Sequence, residues 1–478
     1  MSKCIFRIVV GVVLLLVATT APAQQPADYV QQAIDDRAER YKNMALQLWD
    51  FAELGYQEER STALLQTQLK EAGFEVTAGV AGMPTSFVAT YGSGQPVIGI
   101  LAEFDALPGL SQATTPFRQV REEGGSGHAC GHHLFGTAST AAAIAVKDWL
   151  ASSGGTGTVR LYGTPAEEGG SGKVYMVRAG LFDDVDVVLN WHPGDQNYAD
   201  SNTSLSNKSA KFRFQGVSAH AARAPERGRS ALDGVEAMNH MVNLLREHVP
   251  QESRIHYVIT QGGLAPNVVP ETAEVYYYVR HPSAERMSEI WERVEQTARG
   301  AAMGTGTTVD WEIIHGNHSI LPNLTLARLV NANLERLGGL RYSPEEQAFA
   351  EKIRETLGRV DIPLGSEKEI QPIEEGLGMG STDVGDVSWV VPTVGFRTAT
   401  WVPGTAPHTW QAVAAGGMSI GLKGMLLAAK VLAMTAADLF SDPARIQEAQ
   451  AEWQERRGPG FQYEPLLGDR DPPLDYRQ

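Results

Sequence analysis

Apolar residues at helical spacing, among them Ile34, Met44 and Leu48, predict a helix over 27–50, and 61–72 reads as a second helix closed by Gly73. Extended apolar runs at 97–101, 158–162, 185–191 and 390–396 predict strands. The first three alternate with helical stretches such as 137–150 and 172–179. Strands interleaved with helices predict an α/β fold built on a mostly parallel sheet.

Between 208 and 320 the pattern changes. Residues 211–214 and 274–279 alternate apolar with polar, 254–260 forms a third strand, and 231–247 and 284–299 read as helices. These elements predict an α+β module inserted into a larger catalytic domain made of 24–207 and 321–440. Leu321-Pro322-Asn323 marks the return, Ser343-Pro344-Glu345-Glu346 is a helix start, and 417–439 is helical again. The segment 441–478 is expected to be a C-terminal tail. From Gly458 it is rich in Pro, Gly and charge, and is expected to wrap the surface or stay mobile.

The N-terminus changes the picture of location. Lys3 and Arg7 precede the apolar run from Ile8 to Val17, and Ala21-Pro22-Ala23 supplies a small-x-small cleavage pattern. Residues 1–23 are therefore expected to be a secretory signal and the mature protein to be periplasmic. The first run is shorter than the ~20 residues a bilayer requires, and no later segment is read as a span.

Loss of Lys3 and Arg7 takes the formal charge from −16 to −18. Such a surface argues against nucleic-acid and anionic-membrane partners. It also repels anionic substrates, though only within about 8 Å at physiological salt. Affinity for an anion then requires a local cationic site. Of the two cysteines, Cys4 leaves with the signal and Cys130 stays alone. No intramolecular disulfide remains possible, and an exported lone thiol must be buried or bound.

In open α/β sheets ligands sit beyond the carboxyl ends of the strands. The residues that follow the predicted strands there are Glu103 and Asp105, then Pro165-Ala166-Glu167-Glu168-Gly169-Gly170, then Trp191-His192-Pro193. Cys130 and His132 lie in a Gly-rich turn between the first two, and His408 stands near the end. Thiolate, imidazole and carboxylate are the donors that zinc and neighbouring divalent metals prefer. Of Glu167 and Glu168, one carboxylate can bind metal while the other faces the adjacent water. Two cations offset by one thiolate, one carboxylate and a hydroxide leave a small positive centre, which is what an acidic protein needs for an acidic substrate.

Together, Leu101-Ala102-Glu103-Phe104-Asp105-Ala106-Leu107-Pro108-Gly109, His128-Ala129-Cys130-Gly131-His132, Thr164-Pro165-Ala166-Glu167-Glu168-Gly169-Gly170 and Gly216-Val217-Ser218-Ala219-His220-Ala221-Ala222 resemble the M20 metallopeptidases, in the amidohydrolase branch with a His-x-Cys-Gly-His motif. Gly380-Ser381-Thr382-Asp383-Val384-Gly385-Asp386-Val387-Ser388 and His408-Thr409-Trp410-Gln411 resemble the p-aminobenzoyl-glutamate hydrolase B-subunit group of that family. The resemblance implies a zinc-exopeptidase-like catalytic domain and an inserted lid and dimerisation domain. It implies two divalent ions, zinc with manganese or cobalt as alternatives, held by Cys130, His132, Glu168, His192 and His408. Glu167 would be the general base and Asp105 the acid that orients a ligand. His220 would reach into a neighbouring subunit's site, and Asn267 would contact substrate. Arg280 is either a carboxylate partner or a structural strand-end arginine.

The implied reaction is hydrolysis of the amide of an N-acyl amino acid, an acyl-glutamate such as a p-aminobenzoyl one included, by a homodimer or with a second subunit. Two other readings stay open: a secreted dipeptidase or aminopeptidase, and a non-catalytic metal-binding subunit. His133 stands where many relatives carry an acid, which bears on metal preference. Trp191, Trp389, Trp401 and Trp410 either wall an aromatic pocket or belong to the core.

Overall fold

The computed structural model describes residues 25–477, so the expected signal at 1–23 lies outside the described residues. A six-stranded sheet runs Glu75–Ala78, Phe87–Ser93, Gly157–Gly163, Val97–Ala102, Val187–Leu189 and Thr393–Val394 in spatial order. The last three pairings are parallel and the first two antiparallel, so the sheet is mixed and mostly parallel. Every residue of Val97–Ala102 is buried, as a strand covered by helices on both faces requires. Helices His132–Ser153 and Ser419–Ser441 pack together across this core, and alanines at 141–143 and 428–429 let them approach closely. By length and composition Ser419–Ser441 passes for a membrane span, which the sequence pattern did not predict; here it is mostly buried inside the protein.

Two predicted elements break where breakers sit. The helix expected over 27–50 is two, Pro26–Asp35 and Ala38–Phe51, divided at Asp36-Arg37 just after the weak helix formers Asp35 and Asp36. The strand expected over 390–396 is the end of helix Val384–Val390 followed by Thr393–Val394 and Phe396–Ala399. Pro392 cannot continue the helix. Around Gly395 the chain then leaves the large sheet and joins a three-stranded one with His192–Gly194 and Tyr198–Ala199.

A second hydrophobic core lies between an antiparallel sheet and helices Ala231–Leu245 and Ala284–Thr305. Its strands run Thr308–Asn317, Ser206–Gln215, Thr272–His281 and Arg254–Gln261 in spatial order. The strand Thr272–His281 alternates strictly, with Val275, Tyr277 and Val279 against the helices and Tyr276, Tyr278 and Arg280 on the other face. Thr308–Asn317 was not read from the sequence, since its burial follows no clean alternation.

Within the expected tail, Pro443–Arg457 is a helix. Its Glu452 carboxylate accepts from the backbone N–H groups of Leu324 and Thr325 at 2.8 Å, capping helix Leu324–Leu337. Residues 458–477 contain no helix or strand and wrap across the molecule.

His315, on the strand Thr308–Asn317, is buried against Ser171, and burial pushes its pKa down to about 4. The unfolded chain takes up this proton near pH 6.5 and the native one only near 4. Stability from His315 is therefore complete above pH 6.5 and is lost as the pH falls through that window, by about 2 kcal/mol between 6.5 and 5. Urea unfolding at the two pH values is expected to show a smaller drop in His315→Gln than in wild type; equal drops would contradict it.

Candidate metal centre and substrate cleft

The polar clusters after the strands meet at one end of the large sheet. Gly131, at φ +77, turns the chain into helix His132–Ser153, and a Cβ there would lie 2.7 Å from Pro193. Only glycine brings Cys130 this close to the His192 segment. The backbone N–H of His408 donates to the Ala129 carbonyl at 3.0 Å, which places a residue 278 positions downstream beside the same thiol. Cys130 Sγ is 3.4 Å from His192 Nε2, and His408 Nε2 is 3.1 Å from Glu168 Oε1.

The donor atoms fall into overlapping groups: Cys130, His132 and His192; Cys130, Glu168 and His408; and Glu103, His132 and Glu167. Glu167 and Glu168 thus face different groups, as their divergence in sequence predicts, although they sit in a turn entered through Ala166 at φ +55 rather than at a strand end. Burial and its carboxylate neighbours Glu103 and Glu168 push the Glu167 pKa well above the usual range.

Asp105 connects two of these donors. Its Oδ1 accepts from His132 Nδ1 at 2.9 Å, and its Oδ2 accepts from the Glu168 backbone N–H at 2.9 Å. Burial alone would raise its pKa, but His132 and these hydrogen bonds outweigh burial and lower it. With Nδ1 held by Asp105, His132 directs Nε2 inward, where a bound ion would take its lone pair. His192 Nδ1 likewise donates to the Pro193 carbonyl at 2.7 Å, leaving Nε2 toward Cys130. Burial, with Arg397 beside it, holds His192 neutral and its pKa well below the usual value. The Cys130 and Glu168 side chains beside it raise that of His408 to about 10.

His132 Nε2, Glu103 Oε2 and Glu168 Oε1 are buried within about 3 Å of neighbouring donor atoms, yet none makes a well-formed hydrogen bond. Lone pairs aimed at one another in a water-poor site are what divalent cations satisfy. The set of one thiolate, imidazoles and carboxylates fits two metal ions.

Sequence reasoning missed Glu103 as a neighbour of His132, at 3.0 Å, and Lys173 behind it. Lys173 is fully buried between Glu103 Oε1 at 2.6 Å and Asp383 Oδ1 at 2.7 Å. No pattern in the sequence distinguishes it from a surface lysine.

A cleft of about 1220 Å³ opens over the donors and runs to the face of the second sheet that carries Tyr276, Tyr278 and Arg280. Arg280 donates to Ser381 Oγ at 3.3 Å, and its Nε is buried and unpartnered. The strand's alternation was the signal that could have placed the two tyrosines. None of the four tryptophans lines the cleft: Trp191 and Trp401 are core, and Trp389 packs on Phe461.

His220 and Asn267 are not brought to the cleft of their own chain. Both are exposed, and His220 Nδ1 accepts from the backbone N–H groups of Ala222 and Arg223. His128 and His133 are buried beneath the donors, hydrogen-bonded to the carbonyls of Leu48 and Gly416.

The family model for "Peptidase family M20/M25/M40" matches residues 99–412, which hold Glu103, Asp105, the Cys130 turn, Glu167, Glu168, His192 and His408. The chain belongs to this peptidase family. It is 42% identical to one of the subunits of the p-aminobenzoyl-glutamate hydrolase of Escherichia coli, over 89% of this chain and 94% of that protein. It is 31% identical to a mouse (Mus musculus) Xaa-Arg dipeptidase, over 88% and 91% respectively. A Bacillus subtilis structure, described as a dinuclear metal binding peptidase from the M20 family, superposes with a TM-score of 0.57 at 20% identity, covering 85% of this chain and 99% of that one. Membership in this peptidase family makes the protein a hydrolase, the clustered donors fit a metal-dependent one, and the superposition shows the shared mixed α/β fold.

Proposed function

We propose that this M20 protein hydrolyses the amide bond of an N-acyl amino acid, with an acyl-glutamate such as p-aminobenzoyl-glutamate as the leading substrate. The observation that carries the reading is the juxtaposition of the donor groups around Cys130 with Glu167, under a cleft whose Lys211, Arg280 and Arg477 pair with no carboxylate among the described residues. Cys130, His132, Glu168, His192 and His408 would hold the two ions, with zinc the metal that a thiolate and imidazoles favour. Bound there, the ions supply Lewis acidity, acidifying a water and polarising the scissile carbonyl. Glu167 removes the water's proton and returns it to the leaving nitrogen. Asp105 keeps His132 in one tautomer and fixes the Glu168 backbone. The identity to the E. coli protein supports the substrate class.

Residues 208–320 would serve as lid and dimerisation domain. Supporting this, the edge strand Arg254–Gln261 exposes Tyr257, Val258 and Ile259, and the neighbouring loop exposes Leu264 and Val268, next to Asn267 and His220. A second copy covering this edge would bury it and carry His220 toward the other cleft. The signal at 1–23 would make the protein periplasmic. The E. coli relative is by its name a hydrolase subunit, and a partner chain would likewise be a further component here.

The identity to the mouse protein favours a second reading, a dipeptidase for substrates ending in arginine. Purified chain with added zinc, manganese or cobalt is expected to cleave N-benzoyl-glutamate faster than a free-amine dipeptide ending in arginine, and to lose activity on stringent chelation. The opposite preference would replace the first reading with the second; full turnover after chelation would refute both.

A further inference from the structure

Well beyond residue 412, where the family match ends, the chain after helix Pro443–Arg457 folds back to the cleft. Tyr463 donates to Asp386 Oδ1 at 2.7 Å, and Leu467 is buried in the main core. Arg470 pairs with Glu312 at 3.1 Å and donates to the Ile313 carbonyl, both on the second sheet. Arg178 donates to the carbonyls of Gly468 and Arg470 at 2.9 and 2.7 Å. The segment is thus pinned to both cores before it reaches the metal site.

There Tyr476 packs edge-on against Tyr56, ring centroids 5.6 Å apart, and donates to the Glu168 carbonyl at 3.2 Å. Arg477 Nη2 donates to the same carbonyl at 2.5 Å, while its Nε is buried without a partner. No described carboxylate pairs with this guanidinium; Asp471 and Asp475 of the same segment are exposed. A strut needs only the bond to Glu168. The guanidinium lies over the Tyr476 ring and lines the cleft, and a planar fork there with a donor left unpartnered matches a carboxylate.

We propose that Arg477 is a specificity-determining residue that reads a side-chain carboxylate on the amino-acid half of the substrate. The proposal rests on the N-acyl amino acid reading above and adds the group that makes acidic residues preferred over neutral ones. The long-range field of this acidic protein repels such a substrate, so the preference has to come from a local cation.

The test is calorimetric binding of N-benzoyl-L-glutamate and N-benzoyl-L-glutamine, which differ only in that carboxylate, to the full metal-loaded chain carrying Glu167→Gln so that neither is consumed. Glutamate is expected to bind about tenfold tighter or better. Arg477→Ala is expected to erase the difference, Arg477→Lys to restore part of it, and Arg477→Glu to favour N-benzoyl-L-lysine over the glutamate compound. A preference that survives Arg477→Ala, or no preference in the parent chain, overturns the assignment. If the Glu167 enzyme cleaves no acyl amino acid while the Arg477-dependent preference persists, the hydrolysis reading falls and the role of Arg477 stands.

Discussion

Glu167→Gln is expected to lower kcat by about 10²–10⁴-fold, the range contributed by a positioned general base, while metal content stays at the wild-type level. The amide keeps the shape of the carboxylate but cannot accept a proton. The environment of Glu167 favours proton uptake, because burial and the nearby carboxylates Glu103 and Glu168 disfavour its charged form. Its neighbour differs in kind, since Glu168 shares a donor group with Cys130 and His408. Glu168→Gln is therefore expected to lose metal together with activity. Turnover by release of glutamate and metal content by elemental analysis separate the two roles. If Glu167→Gln loses an ion, Glu167 is a ligand through its group with Glu103 and His132; near-normal turnover with intact folding would remove it from the chemistry.

Lys173→Met carries the largest expected effect on stability. Its ammonium is completely buried between Glu103 and Asp383, and although burial alone would lower its pKa, these carboxylates raise it. Methionine fills a similar volume but leaves two buried carboxylates without their cation. Breaking a buried ion pair from one side costs about 3–5 kcal/mol, far more than the pair contributes relative to an apolar replacement. A chemical-denaturation midpoint should show this loss, and Glu103→Gln combined with Lys173→Met should recover part of it. A Lys173→Met chain as stable as wild type would mean that water or a bound cation already screens the two acids.

Lys173 also marks the limit of what was legible. The motif residues were visible because the chemistry of metal binding restricts which side chains follow a strand, and Cys130, His132, Glu168, His192 and His408 do converge in the fold. The α/β class followed from the interleaving of elements; the break at Pro392 is written in the sequence, and the one after Asp35-Asp36 only weakly. The two cleft tyrosines were within reach, since alternation along Thr272–His281 assigns them to the face away from the helices.

Sequence alone determined most of the local choices: which segments are helix or strand, which side of each is apolar, and which turns carry candidate metal donors. Each depends on residues within a few positions of one another. The tertiary structure decided the rest: that His408 hydrogen-bonds to Ala129, that Lys173 is sealed between Glu103 and Asp383, and that Arg477 reaches the Glu168 carbonyl. Those contacts join residues tens to hundreds of positions apart. Their free energy exists only once the intervening chain has packed and the loop-closure entropy has been met, and no local pattern encodes it.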